Sequence, residues 1–253
     1  MTAFASVPFE SYERSVPRVL DQVRAGPLLA RQQAVLVKPN LVNASPFPVT
    51  THPGCCRAAL AYVRRHAPSA RLILADGCGD PRHSTMELFD LLGLRDAAHE
   101  FGAELLDLNE EPSVRLERPD LSFFRQMHLP GVVLESFIFS LPVLKAHSLA
   151  GYTGTLKNMM GVLPPLHYAQ RHGFWRKAAL HGDLHRAIRE LCAVVRPGLT
   201  LLDASVGLRD HHLGGRTCDP PAGMLAAGTD PLAVDRYAAA LLGLDWKLIG
   251  HLQ

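Results

Sequence analysis

The sequence predicts an α/β fold with a largely parallel sheet and helices on both faces. Short runs of Val, Ile and Leu bounded by turn residues alternate with longer amphipathic segments, which is the pattern of that fold class. The chain has 253 residues, enough for a full core. Hydrophobic residues make up 47% and charged residues 20%, a globular composition that excludes intrinsic disorder as the main description. We expect a single α/β domain over residues 1–253, or two lobes of it that meet at a crevice near residues 141–161.

The elements follow from the apolar runs and the residues that punctuate them. Pro53 suits the first turn of a helix that opens at His52, and the last predicted helix stops near Gly243. Val114 to Leu129 is predicted to form a hairpin or meander excursion near residues 110–130. Helices are predicted over about residues 11–24, 52–66, 84–92, 180–195 and 231–242. Strands are predicted over residues 34–37, 71–75, 104–108, 137–141, 199–203 and 224–227.

Polar residues follow four of the predicted strands, at the point where each strand ends. In open α/β sheets the ligand crevice lies outside the carboxyl ends of the strands. If these strands are parallel, the four clusters converge on one site. The clusters are Lys38-Pro39-Asn40, Asp76-Gly77-Cys78-Gly79, Lys145-Ala146-His147 and Asp203-Ala204-Ser205.

The first two clusters carry groups that suit an anion. Lys38 follows a fully apolar strand, so its stem packs while its ammonium group is free to meet an anion, with Asn40 nearby. Asp76 and Gly77 open a strand-to-helix loop of the kind whose backbone N–H groups face anionic ligands. The loop lacks both the G-x-G-x-x-G pattern and the Gly-Lys-Ser/Thr of a Walker loop. The alternative interpretations are that Lys38 is a solvated lysine and that the loop after Asp76 is a simple tight turn.

The segment from Lys145 to Gly161 is the densest in polar chemistry. It holds two Lys, one His and three Gly within seventeen residues, and no hydrophobic periodicity explains them. The two lysines, Lys145 and Lys157, suit a phosphate or carboxylate, or one lowers the pKa of the other, which then acts as a base or Schiff-base former. His147 is the natural general acid or base.

The hydroxyls of the same segment suggest a helix start. We expect Thr153 or Thr155 to cap a short helix that contains Lys157 and Asn158, whose N-terminus favours an anion. An ordinary loop with exposed charges is the alternative interpretation of this segment.

The chain has 13 His, about twice the average share, so metal ligands are a further possibility. His181 and His185 lie four residues apart on a predicted helix, a spacing that metal-binding helices use. The Glu of the H-E-x-x-H motif is missing, so surface or capping roles are favoured and no metal site is assigned. The weak metal candidates are His167, His172, His181 and His185. His211 and His212 lie in a Gly-rich loop that serves as a flexible gate or has no role.

Composition excludes several other classes of function. The net charge is +2 without a basic stripe, so we expect no nucleic-acid partner. No apolar stretch reaches the 18 to 20 residues of a membrane span, and the first residues lack a signal-peptide pattern, so we expect a cytoplasmic protein with no membrane partner. Five Cys, two of them adjacent, do not suit a disulfide framework, and reduced thiols are expected. A homodimer is compatible with the sequence.

Several strings of the chain resemble the domain of unknown function 362 family. They are KPNLV (38–42), THPGCCRAAL (51–60), the Asp76 glycine loop, LPVLKAHSLAGYTGTLKNMMG (141–161) and DPLAVDRYAAALLG (230–243). The resemblance implies an α/β, enzyme-like domain whose reaction is open. Many family members carry a fused ferredoxin-like segment, and the five cysteines here do not have the spacing of cluster ligands, so an iron–sulfur cofactor is not expected.

A second resemblance is to the nickel-pincer lactate racemase family. In that family a Gly-x-x-Lys string places a lysine that bonds the cofactor, and Gly154-Thr155-Leu156-Lys157 is similar to it. The resemblance implies a cofactor held at Lys157.

The leading hypothesis is an enzyme of the lyase or isomerase type that acts on a small anionic substrate by Lys/His acid–base chemistry. His147, Lys157 and Lys145 are the candidate catalytic residues. The candidate binding residues are Lys38, Asn40, Asp76, Gly77, Thr153, Thr155 and Asn158. Asp76 or Asp203 is expected to orient a base. The sequence requires no cofactor for isomerisation, elimination or cleavage beside a carbonyl.

Two alternatives remain open. One is a metal- or cofactor-dependent enzyme that uses iron, nickel or zinc, which the excess of His motivates. The other is a non-catalytic accessory protein that carries a small ligand or cofactor to another enzyme.

Overall fold

A computed structural model describes residues 4–169 and 177–253 of the chain. Its centre is a mixed sheet with the strand order β1-β11-β10-β7-β2-β3-β4, in which β10, β7, β2, β3 and β4 are parallel. A hairpin of β8 and β9 joins the sheet through β10. These strands are β1 (Phe4–Pro8), β2 (Ala34–Pro39), β3 (Arg71–Asp76), β4 (Glu104–Asp107), β7 (Phe137–Leu141), β8 (Val143–His147), β9 (Gly151–Thr153), β10 (Leu199–Leu208) and β11 (Met224–Gly228).

Helices cover both faces of this sheet, as the sequence predicts. One face carries α1 (Tyr12–Gln22), α2 (Ala25–Leu29), α3 (Pro53–His66), α4 (Thr85–Leu91) and α5 (Leu94–Glu100). The other face carries α6 (Gly131–Glu135), α7 (Thr155–Asn158), α8 (Pro165–Tyr168), α9 (Leu184–Val194) and α10 (Pro231–Leu241), with 3₁₀ turns at Met159–Val162, Ala178–Asp183, Trp246–Leu248 and Gly250–Leu252. No helix within the two described ranges is long and apolar enough to span a membrane.

Alternation along the central strands explains why the runs are apolar throughout. Val35 and Val37 pack into the cluster under α1 and α3, whereas Leu36 packs into the cluster on the opposite face. In β3, Leu72 and Leu74 likewise pack into the cluster under α1 and α3, and Ile73 packs into the cluster on the opposite face. A strand buried on both faces has no solvent side that would call for polar residues.

The excursion predicted near residues 110–130 is a small antiparallel hairpin of β5 (Ser113–Glu117) and β6 (Gln126–Pro130). Glu190 on α9 holds the turn of this hairpin, because its carboxylate accepts the backbone N–H groups of Phe123 and Phe124 at 2.8 and 2.9 Å. The prediction of a hairpin is therefore confirmed.

Three local predictions are wrong. Lys145 and His147 do not follow the end of β7; they lie within β8, which begins two residues after β7 ends. Asp203 does not end its strand, because β10 continues to Leu208. The helix predicted to begin at residue 180 starts as a 3₁₀ turn and becomes α-helical at Leu184, where the Asp183 side chain caps it.

Candidate functional site

Lysine is rare in this chain, and its lysines cluster. Five of the 26 basic residues are Lys and the other 21 are Arg. Four of the five lysines line one cavity of about 320 Å³, and none of the lining residues that the structure describes is an arginine. The four are Lys38, Lys145, Lys157 and Lys177. Among the described lining residues Asp76 is the only carboxylate, so the cavity has an excess of positive charge.

The hairpin of β8 and β9 presents one polar face to this cavity. Residues two apart on a strand share a face, so Lys145 and His147 point to the same side. Thr153 is the cross-strand partner of Lys145 and joins them, and all three line the cavity. Gly151 is paired with His147 and adopts φ +70°, a conformation that glycine allows without strain.

The carboxyl ends of β2 and β3 supply the floor of the cavity. Lys38 is fully buried, and its Nζ lies 2.6 Å from Oδ1 of Asp76. The Asp76 carboxylate also accepts the backbone N–H of Gly77 at 2.8 Å and that of Leu41 at 2.9 Å. Burial lowers the pKa of Lys38, and the Asp76 carboxylate opposes that shift. The pair is thus a hydrogen-bonded, internally neutralised part of the floor.

Two asparagines connect this ion pair to Lys145. The Nζ of Lys145 donates to Oδ1 of Asn40 and, at 2.6 Å, to the carbonyl of Val49. The Nδ2 of Asn40 donates to Oδ1 of Asn158 at 3.4 Å, and Lys38 Nζ donates to the same oxygen at 3.4 Å. The side chains that the sequence predicted at separate strand ends therefore form one continuous network.

The short helix α7 carries Lys157 and Asn158, as predicted, but its cap is different from the one expected. Thr153 and Thr155 do not cap it; Asp235 of α10 does, and its carboxylate accepts the N–H groups of Thr155 and Leu156 at 2.7 and 2.9 Å. Thr155 is fully buried and does not line the cavity, so the structure does not bring it to the proposed ligand. A carboxylate from outside the helix supplies more negative charge to these first-turn N–H groups than a hydroxyl would.

Close packing at Gly154 explains the glycine that precedes this helix. A Cβ there would lie 1.8 Å from the hydroxyl oxygen of Tyr152 and 2.5 Å from Oδ1 of Asp235. Tyr152 is buried and donates to the same carboxylate at 3.2 Å. The turn from β9 into α7 is therefore tied to α10, and that tie fixes the position of Lys157.

Lys177 is a cavity residue that the sequence analysis missed. Its Nζ donates to the carbonyls of Gly77 and Gly161, each at 2.8 Å. Gly161 lies against the ion pair, since a Cβ on it would fall 2.2 Å from Oδ1 of Asp76. No strand end or motif marks Lys177. The scarcity of lysine is the signal that could have found it.

Three of the lysines have pKa values near neutrality. Burial lowers the pKa of Lys145 to about 7, and the ammonium group of Lys157 acts in the same direction. Burial also lowers the pKa of Lys177 to about 7 and that of Lys157 to about 8. Lys157 differs from the others because, within the described part of the chain, its ammonium group makes no hydrogen bond or ion pair. Its amine is available to a ligand.

A loop after β10 lies over the cavity. His212 stacks on His147, with ring centroids 3.7 Å apart and an interplanar angle of 13°. The loop is closed at its base by a 2.9 Å hydrogen bond from Arg209 N to Arg216 O and by an ion pair between Arg216 and Asp210. His211 and His212, for which the sequence allows either a gate or no role, therefore lie at the cavity.

A protein-family model matches the part of the chain that contains this site. The match is to the domain of unknown function DUF362 and covers residues 35–240, which include the lysine cavity and the Asp235 cap. The chain belongs to the DUF362 family. No curated protein sequence matches it.

The fold is also similar to a solved enzyme structure. The lactate racemase apoprotein from Thermoanaerobacterium thermosaccharolyticum superposes with a TM-score of 0.56 at 13% sequence identity. The alignment covers 90% of this chain but 54% of the racemase chain, so the DUF362 protein spans about half the length of that neighbour. At this identity the similarity shows the shared α/β fold.

Several predicted residues of this DUF362 protein lie away from the cavity. Asp203 is buried and accepts the hydroxyl of Tyr12 at 2.7 Å and that of Ser205 at 2.7 Å, and neither Asp203 nor Ser205 lines the cavity. The expectation that all four strand-end clusters converge on one site is therefore wrong for the cluster of Asp203 and Ser205.

Two of the weak metal candidates, His167 and His185, each contact a different histidine. His167 stacks on His128, and Nδ1 of His185 lies 2.9 Å from Nδ1 of His251. His172 lies outside the described residues. His181 lies on the 3₁₀ turn Ala178–Asp183, and the structure does not describe its side chain. Within residues 4–169 and 177–253, no group of three or more His, Cys, Asp or Glu is arranged to hold a metal ion.

Proposed function

We propose that this DUF362 protein is an enzyme that binds a small carboxylate- or phosphate-bearing molecule in the lysine cavity and moves a proton on it by Lys/His chemistry. The observation that carries the proposal is the placement of four of five lysines around one cavity whose described lining contains a single carboxylate. Charge alone would be served as well by arginine, which is four times as common in this chain. Lysine differs from arginine because burial brings its pKa into the range of proton transfer.

Lys157 is the base in this proposal, because its pKa is lowered and, unlike Lys145 and Lys177, it bonds to none of the described residues. At pH 7 a lysine with a pKa of about 8 is roughly 10% neutral amine, about 300 times the fraction of a lysine with an ordinary pKa. A general base works best when its pKa is near the operating pH. Lys157 lies close enough to Lys145 to lower its pKa. Lys145 is therefore placed to stabilise the negative charge that develops on the substrate beside Lys157.

His147 is the complementary acid. Its Nδ1 accepts the backbone N–H groups of Leu149 and Ala150 at 3.1 and 3.2 Å, which assigns the proton of the neutral ring to Nε2. An imidazole held in this tautomer donates a hydrogen bond from Nε2. Proton removal by Lys157 and a hydrogen bond from His147 to the oxygen that becomes negative fit isomerisation, elimination or cleavage beside a carbonyl, where a carbanion or enolate forms next to an anion-binding group.

Deuterium incorporation tests this proposal without knowledge of the full reaction. Small 2-oxo, 2-hydroxy and 3-oxo acids are incubated with the protein in D₂O, and exchange of the proton beside the carbonyl or hydroxyl carbon is followed by NMR. The Lys157→Met variant should exchange at least 100-fold more slowly. The matched control is Lys247→Met, because Lys247 is the fifth lysine and lies exposed beside Trp246. Equal exchange by Lys157→Met, or binding without any exchange, contradicts the proposal.

A second candidate is an enzyme that uses a cofactor attached to Lys157. The observation that favours it is the amine of Lys157, which bonds to none of the residues that the structure describes and lies in the string that resembles the Gly-x-x-Lys of the lactate racemase family. A cofactor bonded there would supply the redox or electrophilic chemistry, while Lys145 and His147 would bind and orient the substrate. Intact mass of the purified protein tests it, because an adduct on Lys157 that is absent from Lys157→Met supports this candidate and an unmodified, exchange-active chain contradicts it.

A further inference from the structure

We infer that the molecule bound in the lysine cavity carries two anionic groups, one held by Lys145 and Lys157 and the other by Lys177. The inference rests on the proposed function, since it names the substrate class of the same cavity. It excludes simple monocarboxylates as the preferred ligands.

Counting charges shows that more than one anion is needed. The 2.6 Å ion pair neutralises Lys38 with Asp76. Within the described residues, Lys145 bonds to Asn40 Oδ1 and Val49 O, and Lys177 bonds to the carbonyls of Gly77, Gly161 and Met160, all of which are neutral oxygens. Lys157 bonds to none of the described residues. None of the three lysines therefore has a counter-charge among the described residues when it is protonated, and a single carboxylate neutralises one of them.

The three uncompensated lysines lie at two ends of the floor. A chain of hydrogen bonds runs from one end to the other, through Lys145, Asn40, Asn158, Lys38, Asp76, Gly77 and Lys177. Lys145 lies on β8, which follows β7 and pairs with β10, and Lys177 bonds to Gly77 just after the end of β3, with β2 between β7 and β3. The strands that carry the two ends are therefore roughly two strand spacings, or about 10 Å, apart, and we take this as the order of magnitude of the separation between the ends. Lys157 belongs to the Lys145 end, because its ammonium group lowers the pKa of Lys145, whereas the cation that acts on Lys177 is Lys38.

Free hydrogen-bonding capacity exists at both ends. An ammonium group has three donors. Lys145 uses two of them on protein oxygens, and Lys177 uses two at 2.8 Å with a long third contact of 3.5 Å to the carbonyl of Met160. Lys157 retains three. Each end can therefore donate at least one charge-assisted hydrogen bond to a ligand oxygen.

The distance between the ends sets the size of the ligand. Charge-assisted contacts of about 2.8 Å at each end leave roughly 4 to 5 Å between the two anionic groups. That separation matches a dicarboxylate of four to six carbons, or a carboxylate with a phosphoryl group at the other end. The cavity of about 320 Å³ has room for a molecule of this size.

Affinities of matched probes test the inference. Glutarate and pentanoate have the same number of carbons and differ in the second carboxylate, 3-phosphonopropanoate replaces that carboxylate by a phosphonate, and inorganic phosphate is a compact dianion. We expect glutarate or 3-phosphonopropanoate to bind at least tenfold more tightly than pentanoate and phosphate in calorimetric titrations at pH 7. The tighter of the two identifies the chemistry of the second group.

Variants at the two ends complete the test. Lys145→Gln and Lys177→Gln keep a hydrogen-bond donor and remove the charge, and each should reduce the affinity for the two-ended ligand to that for pentanoate. Lys247→Gln is the control and should bind as the unaltered protein does. Equal binding of glutarate and pentanoate, or tightest binding of inorganic phosphate, overturns the two-ended ligand and leaves the proposed function intact. If none of the anions binds, the proposed function fails as well.

Discussion

Two buried polar clusters lie at the same edge of the sheet, and they differ in how far their polar atoms are satisfied. In the cluster of Asp203, the carboxylate accepts hydrogen bonds from Tyr12 and Ser205, and it does not line the lysine cavity. In the lysine cavity, the lysines outnumber the carboxylates four to one among the described lining residues. The first cluster is complete without a ligand, whereas the second is not. Unsatisfied charge, more than position at a strand end, therefore distinguishes a candidate site from a structural network.

Removing one carboxylate from each cluster gives the largest expected difference. Asp76→Asn leaves the buried ammonium of Lys38 without a counter-charge, and it places an amide where two backbone N–H groups now find an acceptor. We expect a loss of about 3–5 kcal/mol in the free energy of unfolding, measured by urea titration.

Asp203→Asn is the matched change in the other cluster. It keeps one acceptor oxygen and leaves no cation unpaired, and burial raises the pKa of Asp203, so the charged carboxylate is costly there. We expect a loss of about 1–2 kcal/mol with anion binding unaffected. Similar losses for the two variants would show that the clusters are energetically alike and would remove the distinction.

The sequence was sufficient for most of the fold because its strands are buried on both faces. A short, fully apolar run such as Val35 to Val37 is typical of a strand that is buried on both faces. Such runs therefore predicted the positions of the strands and the α/β class. The strand β1 was missed, since FASVP (4–8) is short and pairs only at the edge of the sheet. The hairpin of β8 and β9 was missed because Pro142 interrupts the apolar run, and the chain then leaves β2, stays paired with β10 and turns back into β9.

The candidate site was predictable only in part, for a related reason. The strand-end rule located Lys38, Asp76 and their neighbours, which are fixed by local sequence. Asp235 and Lys177 act through contacts between residues 80 and 100 positions apart, and nothing in their surrounding sequence reports those contacts. The rule also included Asp203, because it detects polar residues near strands and not their hydrogen-bond partners.

A second pair of variants sharpens the comparison at the wall of the cavity. Asp235→Ala leaves the N–H groups of Thr155 and Leu156 and the hydroxyl of Tyr152 without an acceptor in a buried environment. We expect about 2–3 kcal/mol of lost stability in urea titrations, together with weaker binding of glutarate because Lys157 follows α7.

Asp230→Ala is the control for that change. Asp230 caps its own helix, α10, and lies at the surface, so its loss should cost about 1 kcal/mol and leave glutarate binding unchanged. If Asp235→Ala binds glutarate normally despite its lower stability, the cap has a structural role only and does not position Lys157.

The smallest expected effect is on the pH dependence of stability, where the two clusters act in opposite directions. Lys145 has a folded pKa of about 7 and an ordinary value of 10.5, so between these values the unfolded chain holds a proton that the folded chain does not. Stability therefore rises with pH in this window, and the lysine contributes a gain of about 1–2 kcal/mol between pH 7 and 8.5. The raised pKa of Asp203 has the opposite sign, because its stabilisation is full below the ordinary value of 3.8 and is lost as pH rises through the folded value.

The window must end near pH 8.5, because buried thiols oppose the lysines above it. Burial raises the pKa of Cys55 and Cys56, so the folded chain keeps protons there that the unfolded chain releases. Urea titrations of the unaltered protein and of Lys145→Gln at pH 7, 7.75 and 8.5 isolate the lysine from these thiols, since both chains contain them. The stability of the unaltered protein should rise relative to that of the variant across the series. Parallel curves would mean that Lys145 is fully protonated throughout, and an amine with an ordinary pKa in this cavity could bind an anion but could not exchange protons with it at neutral pH.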